Sequence, residues 1–273
     1  MNKLPLHKRV QILNLLVEGN SLRATSRITD CSINTVTKFL VDIGQAAGDY
    51  QDAVFRNLPC KRIQVDEIWS FCYAKKKNLG YVKKPVLGMG DVWTWTSICA
   101  DTKLVPCWRV GERTKHMAYE FIKDLSTRFK NRIQLTSDGY KSYLDVVEAV
   151  FGDDVDFGMM VKVFEDETKY RADTIDVSTK AIIGNPDPNH ISTSFVERQN
   201  LTMRTNIKRF TRRTNAFSKK IQNHTHAVSL HFMYYNFGRI HKTLRVTPAM
   251  EAGISDHIWN LEEIIQLFDK NSN

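Results

Sequence analysis

Apolar residues recur at Val10, Leu13, Leu16 and Val17, a helical spacing that predicts an amphipathic helix closed by Gly19. Residues 21–28 predict a second, short helix, and Thr29, Asp30 and Cys31 form a tight-turn sequence. Ser32 is a good N-cap for a third helix through Leu40 and Ile43. Cys31, Val36 and Leu40 would then point inward, and Asn34, Thr35, Thr37 and Lys38 outward at the start of that helix. Periodicity fades after Gly44. Residues 45–60, with a second glycine and Pro59, are expected to be a linker, although 45–55 has helical potential.

The pattern changes from residue 61. Residues 63–73, 92–100, 104–110 and 133–136 are rich in β-branched and aromatic residues and predict strands. Residues 115–129 and 140–150 predict helices, and so does 190–210. Three strands, helix, strand, helix is the order of an α/β layer with a mixed sheet. The expected parts are an all-α helix-turn-helix over 1–44, a linker over 45–60 and an α/β domain over 61–210. An insertion is expected at about 151–189, and a basic helical region over 211–273.

Charge sharpens this reading. The 273 residues carry a net charge of +9. The segment 198–250 holds 11 Lys+Arg and no Asp or Glu, so the rest of the chain is near neutral. A solvated face normally mixes signs, so this stretch suits a polyanion partner. The turn between the second and third helices would present Asn34, Thr35 and Lys38 to a major groove. A three-helix packing module without DNA contact is the alternative. No apolar run is long enough to span a bilayer. The five cysteines form no C-x-x-C pair, which disfavours a disulfide scaffold or a zinc site of common spacing and fits a reduced cytoplasmic protein. Nor is there a G-x-x-x-x-G-K-[ST] loop, so no nucleotide cofactor is expected. His224 and His226 cannot share a helix face, and without nearby acids or cysteines they and His231 make a poor metal site. Trp69, Trp93, Trp95 and Trp108 suit a core.

Three carboxylates carry the candidate chemistry. Asp66 lies inside an apolar strand, where a charge is costly unless paired or metal-bound. Glu67 beside it would face the other side of the strand, so only one of the two should join a cluster, and Asp66 is preferred. Asp138 sits just past a strand, before Gly139. Glu197 lies on the helix at 190–210, sharing a face with Ser194, Leu201 and Arg204, with Asn200 nearby. Hard oxygen ligands of this kind suit magnesium.

The segments QVDEIW, TSDGY and SFVERQNLTMR, with YYNFGRIHKTLRVTPAMEAG later, resemble the DDE transposases of bacterial insertion sequences, in particular the insertion-sequence-one type. Tyr235, Asn236, His241, Leu244, Thr247 and Pro248 match the family's terminal Y-N…H…L…T-P pattern. The resemblance covers about 1–253. It implies an RNase H-like mixed five-stranded sheet with flanking helices, and a catalytic, metal-binding triad of Asp66, Asp138 and Glu197. It also implies two Mg2+ or Mn2+ ions per site, double-stranded DNA (element ends and target) as partner, and a homo-oligomer at the nucleoid. Arg198, Asn200, Arg204, Lys208, Arg209, Arg212 and Arg213 are expected to hold DNA.

Two departures from the family pattern stand out. The gap from Asp138 to Glu197 is long and holds Asp153, Asp154, Asp156, Glu165, Asp166, Glu167, Asp173, Asp176 and Asp187, any of which could be a rival third acid. The amino-terminal cysteine pair of some relatives is missing. A nuclease or resolvase that cuts without joining is one alternative, and a non-catalytic helix-turn-helix regulator is another.

Overall fold

A computed structural model describes residues 4–164, 174–211 and 215–270. Three helices open the chain: α1 (Leu6–Val17), α2 (Leu22–Thr29) and α3 (Ile33–Val54). Ser21 and Ser32 cap α2 and α3, accepting from Ala24 N and Thr35 N at 3.1 Å each. Asp30 makes the turn between them in the left-handed region, at φ 51°. Val36 and Leu40 are buried, and Asn34 and Lys38 are exposed, as the periodicity predicts. Cys31, expected to point inward, is only half-buried.

The expected linker at 45–60 is helical as far as Val54. Its glycines do not break the helix; they let another helix approach. A Cβ on Gly44 would lie 2.5 Å from the backbone oxygen of His226, and one on Gly48 would lie 3.3 Å from Ser229 Oγ. Both of these residues belong to α7 (Ile221–Met233), which packs along α3. Gln51 on α3 donates from Nε2 to Ser229 O at 3.2 Å, and Asn236 Nδ2 donates to Gln51 Oε1 at 3.2 Å.

The sheet is built from β1 (Arg62–Cys72), β2 (Gly90–Cys99), β3 (Trp108–Gly111), β4 (Gln134–Ser137), β5 (Asp156–Phe164) and β6 (Thr174–Ile183). Their order is β3-β2-β1-β4-β5-β6. β4 runs parallel to both β1 and β5, and β6 is antiparallel to β5. The helices are α4 (Lys115–Ser126), α5 (Ser142–Phe151) and α6 (Ser194–Asn206), with α8 (Pro248–Glu251) and α9 (Leu261–Lys270) following α7. This is the expected mixed α/β layer, with six strands among the described residues where five were expected. The added strand arises because the segment expected as an insertion returns as a hairpin, β5 to β6. Part of the expected third strand, 104–107, is buried without being strand.

The chain divides into two compact units that do not follow sequence order. One comprises Met1–Phe55, Trp69–Thr94 and Asn200–Asn273; the other comprises Arg56–Ile68 and Trp95–Gln199. The second unit has a core of Trp95, Phe121, Tyr143 and Phe157, all fully buried. In the first unit, Phe55 stacks on Phe237 at 5.8 Å, and Tyr50 and Trp259 close on the same ring. The terminal Y-N…T-P motif is structural there: Thr247 caps α8, accepting from Met250 N at 3.2 Å, and Pro248 opens that helix.

Candidate active site

Parallel pairing sets Val65 opposite Ser137, so the next residue on each strand is an aspartate, Asp66 and Asp138. β1 is apolar because it is central and buried, with Ile63, Val65 and Ile68 almost fully covered. Asp138 follows the last residue of β4, and its Oδ1 accepts from Tyr140 N at 3.1 Å, an Asx turn that points the carboxylate off the strand tip. Asp66 Oδ1 accepts from Glu67 N at 2.8 Å.

Glu67 joins them. One carboxylate oxygen from each of Asp66, Glu67 and Asp138 lies within 4.8 Å of the others. The alternation rule, which assigned Glu67 to the other side, is overturned here. Glutamate has one more methylene than aspartate, and Glu67 is held by groups that arrive from elsewhere. Arg113 Nε donates to Glu67 Oε1 at 2.6 Å, and Tyr143 Oη donates to Glu67 Oε2 at 3.2 Å. The Arg113 guanidinium lies 4.2 Å from the Tyr140 ring centroid.

Glu197, on the first turn of α6, stands a step apart. It pairs with Lys162 of β5, and Thr193 Oγ1 donates to Glu197 Oε1 at 2.6 Å. Its side chain is 43% exposed. It is near enough for its charge to raise both Asp66 and Asp138. Gln64 Oε1 accepts from Phe195 N at 2.8 Å and Val196 N at 3.1 Å, which pins the start of α6 to β1.

Like charges in a desolvated cleft hold protons tightly. Burial pushes Asp66 up to about 7, with Asp138, Glu67 and Glu197 adding repulsion. Asp138 is raised by burial, and the Tyr140 amide, Arg113 and Lys162 work against the rise. Glu67 is raised by burial and by Asp138, against the pull of Arg113 and Tyr143. Three carboxylates with an oxygen each within 4.8 Å of the others form a hard-oxygen set whose repulsion a divalent cation would relieve. The residues present therefore fit Mg2+ or Mn2+.

No family model and no curated protein matches this sequence. Among solved structures, the chain is similar to the Mos1 transposase paired-end complex with left transposon end, at 11% identity and TM-score 0.24, covering 57% of this chain and 60% of that one. It is also similar to the piggyBac transposase synaptic complex with hairpin DNA, at 8% identity and TM-score 0.34, covering 77% of this chain and 52% of that one. A third is the Mos1 strand transfer complex, at 10% identity and TM-score 0.24, covering 84% and 78%. The chain thus spans 60% and about half of the first two. At these TM-scores the likeness bears on neither the site nor the activity.

Of the acids that could rival Glu197, Asp156 is paired with Arg132 at 2.8 Å and held below the usual carboxylate range by it. Asp187 accepts from Asn189 N at 2.9 Å, and Asp176 from Val177 N at 2.8 Å. Glu165, Asp166, Glu167 and Asp173 lie outside the described residues. Among the described residues, none of the rivals joins the cluster.

The expected DNA-contacting residues are placed unevenly. Asn34 is exposed, Thr35 is engaged with the Ser32 cap, and Lys38 pairs with Asp42 at 2.6 Å. Arg198 and Lys208 are exposed, Arg204 and Arg209 are half-buried, and Arg209 Nη1 donates to Ser218 Oγ at 2.9 Å. Asn200 is buried. Arg212 and Arg213 lie outside the described residues. His224 is a packed core histidine, within 3.2 Å of Ser70 Oγ and 2.8 Å of Ser218 Oγ. No helix among the described residues is long and apolar enough to cross a membrane.

Sequence reasoning set Glu67 aside in favour of Asp66 and missed Arg113, Tyr143 and Lys162. Tyr143 had a weak signal, five residues after Asp138 on an amphipathic helix. Arg113 and Lys162 had none, because only the sheet brings them to the acids.

Proposed function

We propose that this chain is a DNA transposase that cleaves DNA at element ends and joins the freed 3′-hydroxyl to target DNA. The observation that carries the reading is the convergence of Asp66, inside β1, and Asp138, just past the end of the adjacent parallel strand β4, with Glu67 beside them. A buried, mutually repelling set of acids costs stability, and a fold that only bound DNA would gain nothing from it.

Asp66 and Asp138 would hold the divalent metal, two Mg2+ or Mn2+ ions per site, with Glu197 as the third acid. When bound, the metal supplies Lewis acidity for in-line displacement at phosphorus. The chain's own residues do the rest. Arg113 and Tyr143 would hold Glu67 in place, Thr193 would orient Glu197, and Lys162 would give Glu197 up to face the scissile phosphate. Arg198, Arg204, Lys208 and Arg209 would hold backbone phosphates, positioning DNA rather than reading it. Asn34, Thr35 and Lys38 on α3 would meet the element end. Cutting and joining two ends calls for a homo-oligomer, in the cytoplasm at the nucleoid.

The test is a magnesium-dependent cleavage and joining assay on DNA that flanks the gene, with wild type beside Asp138→Asn and Glu197→Gln. Nicked and joined products that both substitutions abolish would support the reading. Cleavage without joining would replace it with a nuclease. DNA binding with no cleavage in wild type would replace it with a regulator. Joining that survives Glu197→Gln would move the third role to Glu67.

A further inference from the structure

The first unit contains a cavity of about 560 Å³, within the range of small-molecule sites and well below what a duplex requires. Its lining divides by chemistry. Val17, Leu40, Ile207 and Leu230 form a buried apolar floor. Arg23, Arg27, Lys208, Lys219 and Lys220 stand exposed around it. No acid lines it among the described residues, and none of those five cations has a carboxylate partner among them. Lys219 lies 4.0 Å from the Phe217 ring centroid, so its charge is held over an aromatic at the rim.

A second observation points to a ligand. His231 lines the floor, is 9% exposed, and its Nε2 has no hydrogen-bond partner among the described residues. Burial, with the Arg239 charge nearby, pushes its pKa down to about 3. The ring is therefore neutral and adds no positive charge to the rim. A buried ring nitrogen left unpaired is costly; Nε2 is itself covered, so a polar group from a ligand would satisfy it once its cover shifts.

An anionic phosphate joined to a flat, largely apolar ring with polar edges matches this division. Rim cations suit the phosphate, the floor suits the ring face, and His231 suits the ring edge. We infer that the cavity receives one unpaired nucleotide of a DNA strand, its phosphate on Arg23, Arg27 and Lys220 and its base against the floor at His231. This inference rests on DNA being the partner, as proposed above, and adds a site for an unpaired nucleotide outside the acid cluster.

The experiment uses the full chain and two DNA probes, a blunt duplex and the same duplex with a short single-stranded tail carrying 2-aminopurine. Wild type should bind the tailed probe at least 10-fold more tightly than the blunt one and change the 2-aminopurine fluorescence. Arg27→Gln with Lys220→Gln, both at the surface, should lose that preference and keep blunt-duplex binding. His231→Phe should do the same, and the surface pair keeps the test open if His231→Phe fails to fold. Asp138→Asn should retain the preference. Equal affinity of wild type for both probes would overturn the inference, as would a preference that survives the surface pair. Deoxyadenosine monophosphate that displaces the tail at micromolar concentration would overturn the strand assignment in favour of a free nucleotide. Absence of binding to either probe would sink both this inference and the proposed function, whereas blunt binding without tail preference sinks only this one.

Discussion

Asp66 and Asp138 are neighbours through strand register. Val65 faces Ser137 across a parallel pair, and each aspartate is the next residue along its own strand. Their carboxylates meet within 4.8 Å although 71 positions separate them in the chain. Glu67 completes the group, held by Arg113 and Tyr143. Several consequences can be measured.

Neutralising one member of a repelling set removes both function and strain. Asp66→Asn should abolish metal-dependent cleavage by at least about 10³-fold, as loss of a charge-stabilising group does. The same change should stabilise the metal-free protein by roughly 1–3 kcal/mol, because a carboxylate raised toward 7 is costly near neutral pH. Urea denaturation at pH 7.5 without divalent metal checks the second effect. An Asp66→Asn protein less stable than wild type would contradict it.

The pH dependence follows from the same shift. Asp66 holds its proton more tightly folded than unfolded, so the unfolded chain loses it first as pH rises. The contribution of this group to metal-free stability should therefore be full below about pH 4 and be lost as pH climbs through about 7. Millimolar Mg2+ should cancel most of that fall, and Asp66→Asn should flatten it. A thermal melting series from pH 4 to 8, with and without Mg2+, reads all three.

Arg113 is the partner of a carboxylate whose side chain is only 1% exposed. Arg113→Ala would leave Glu67 buried with Tyr143 alone, and should cost about 2–4 kcal/mol. Adding Glu67→Gln should recover a good part of that loss. A double-mutant cycle by chemical denaturation gives the coupling directly, and additive single effects would show that the pair does not interact.

Lys162 competes with any cation for Glu197. If Glu197 is the third acid, Lys162→Gln should tighten Mn2+ binding several-fold, measured by calorimetry, while weakening DNA cleavage. Unchanged Mn2+ affinity would argue that Glu197 stays outside the metal's reach.

Gly44→Leu tests the packing of α3 on α7. The new Cβ would meet the His226 backbone at 2.5 Å, so a loss of about 2–3 kcal/mol is expected on thermal or chemical unfolding. Gly48→Ala, with 3.3 Å to a side-chain hydroxyl, should cost much less.

Local signals were enough for most elements. The cap Ser32, the apolar stripe of α1 and the β-branched runs of β1 and β2 each carry their structure in a few adjacent residues, because hydrogen bonding and burial there have short range. Asp66 was legible for a related reason, since a charge inside an apolar strand is costly enough to be visible alone; Asp138, before a glycine at a strand end, reads alone as an ordinary turn residue and stood out only beside the other acids and the motif order. Gly44 and Gly48 misled, since a glycine that admits a neighbouring helix reads in sequence like one that ends a helix. The sixth strand was hidden because an edge strand of a hairpin, with most of its described side chains exposed, lacks the apolar run of a central one.

Other features depended on partners far away in the chain. Alternation along β1 assigns Asp66 and Glu67 to opposite faces, and nothing in their immediate neighbours says otherwise. Arg113, from the turn before α4, and Tyr143, from α5, draw Glu67 into the cluster, and Lys162, from β5, holds Glu197 beside it. Those positions follow from the parallel register of β1, β4 and β5 and from helices packed on the sheet. A residue's type and spacing can show that a charge needs compensation, but which charge arrives to compensate it is decided only when distant strands pair.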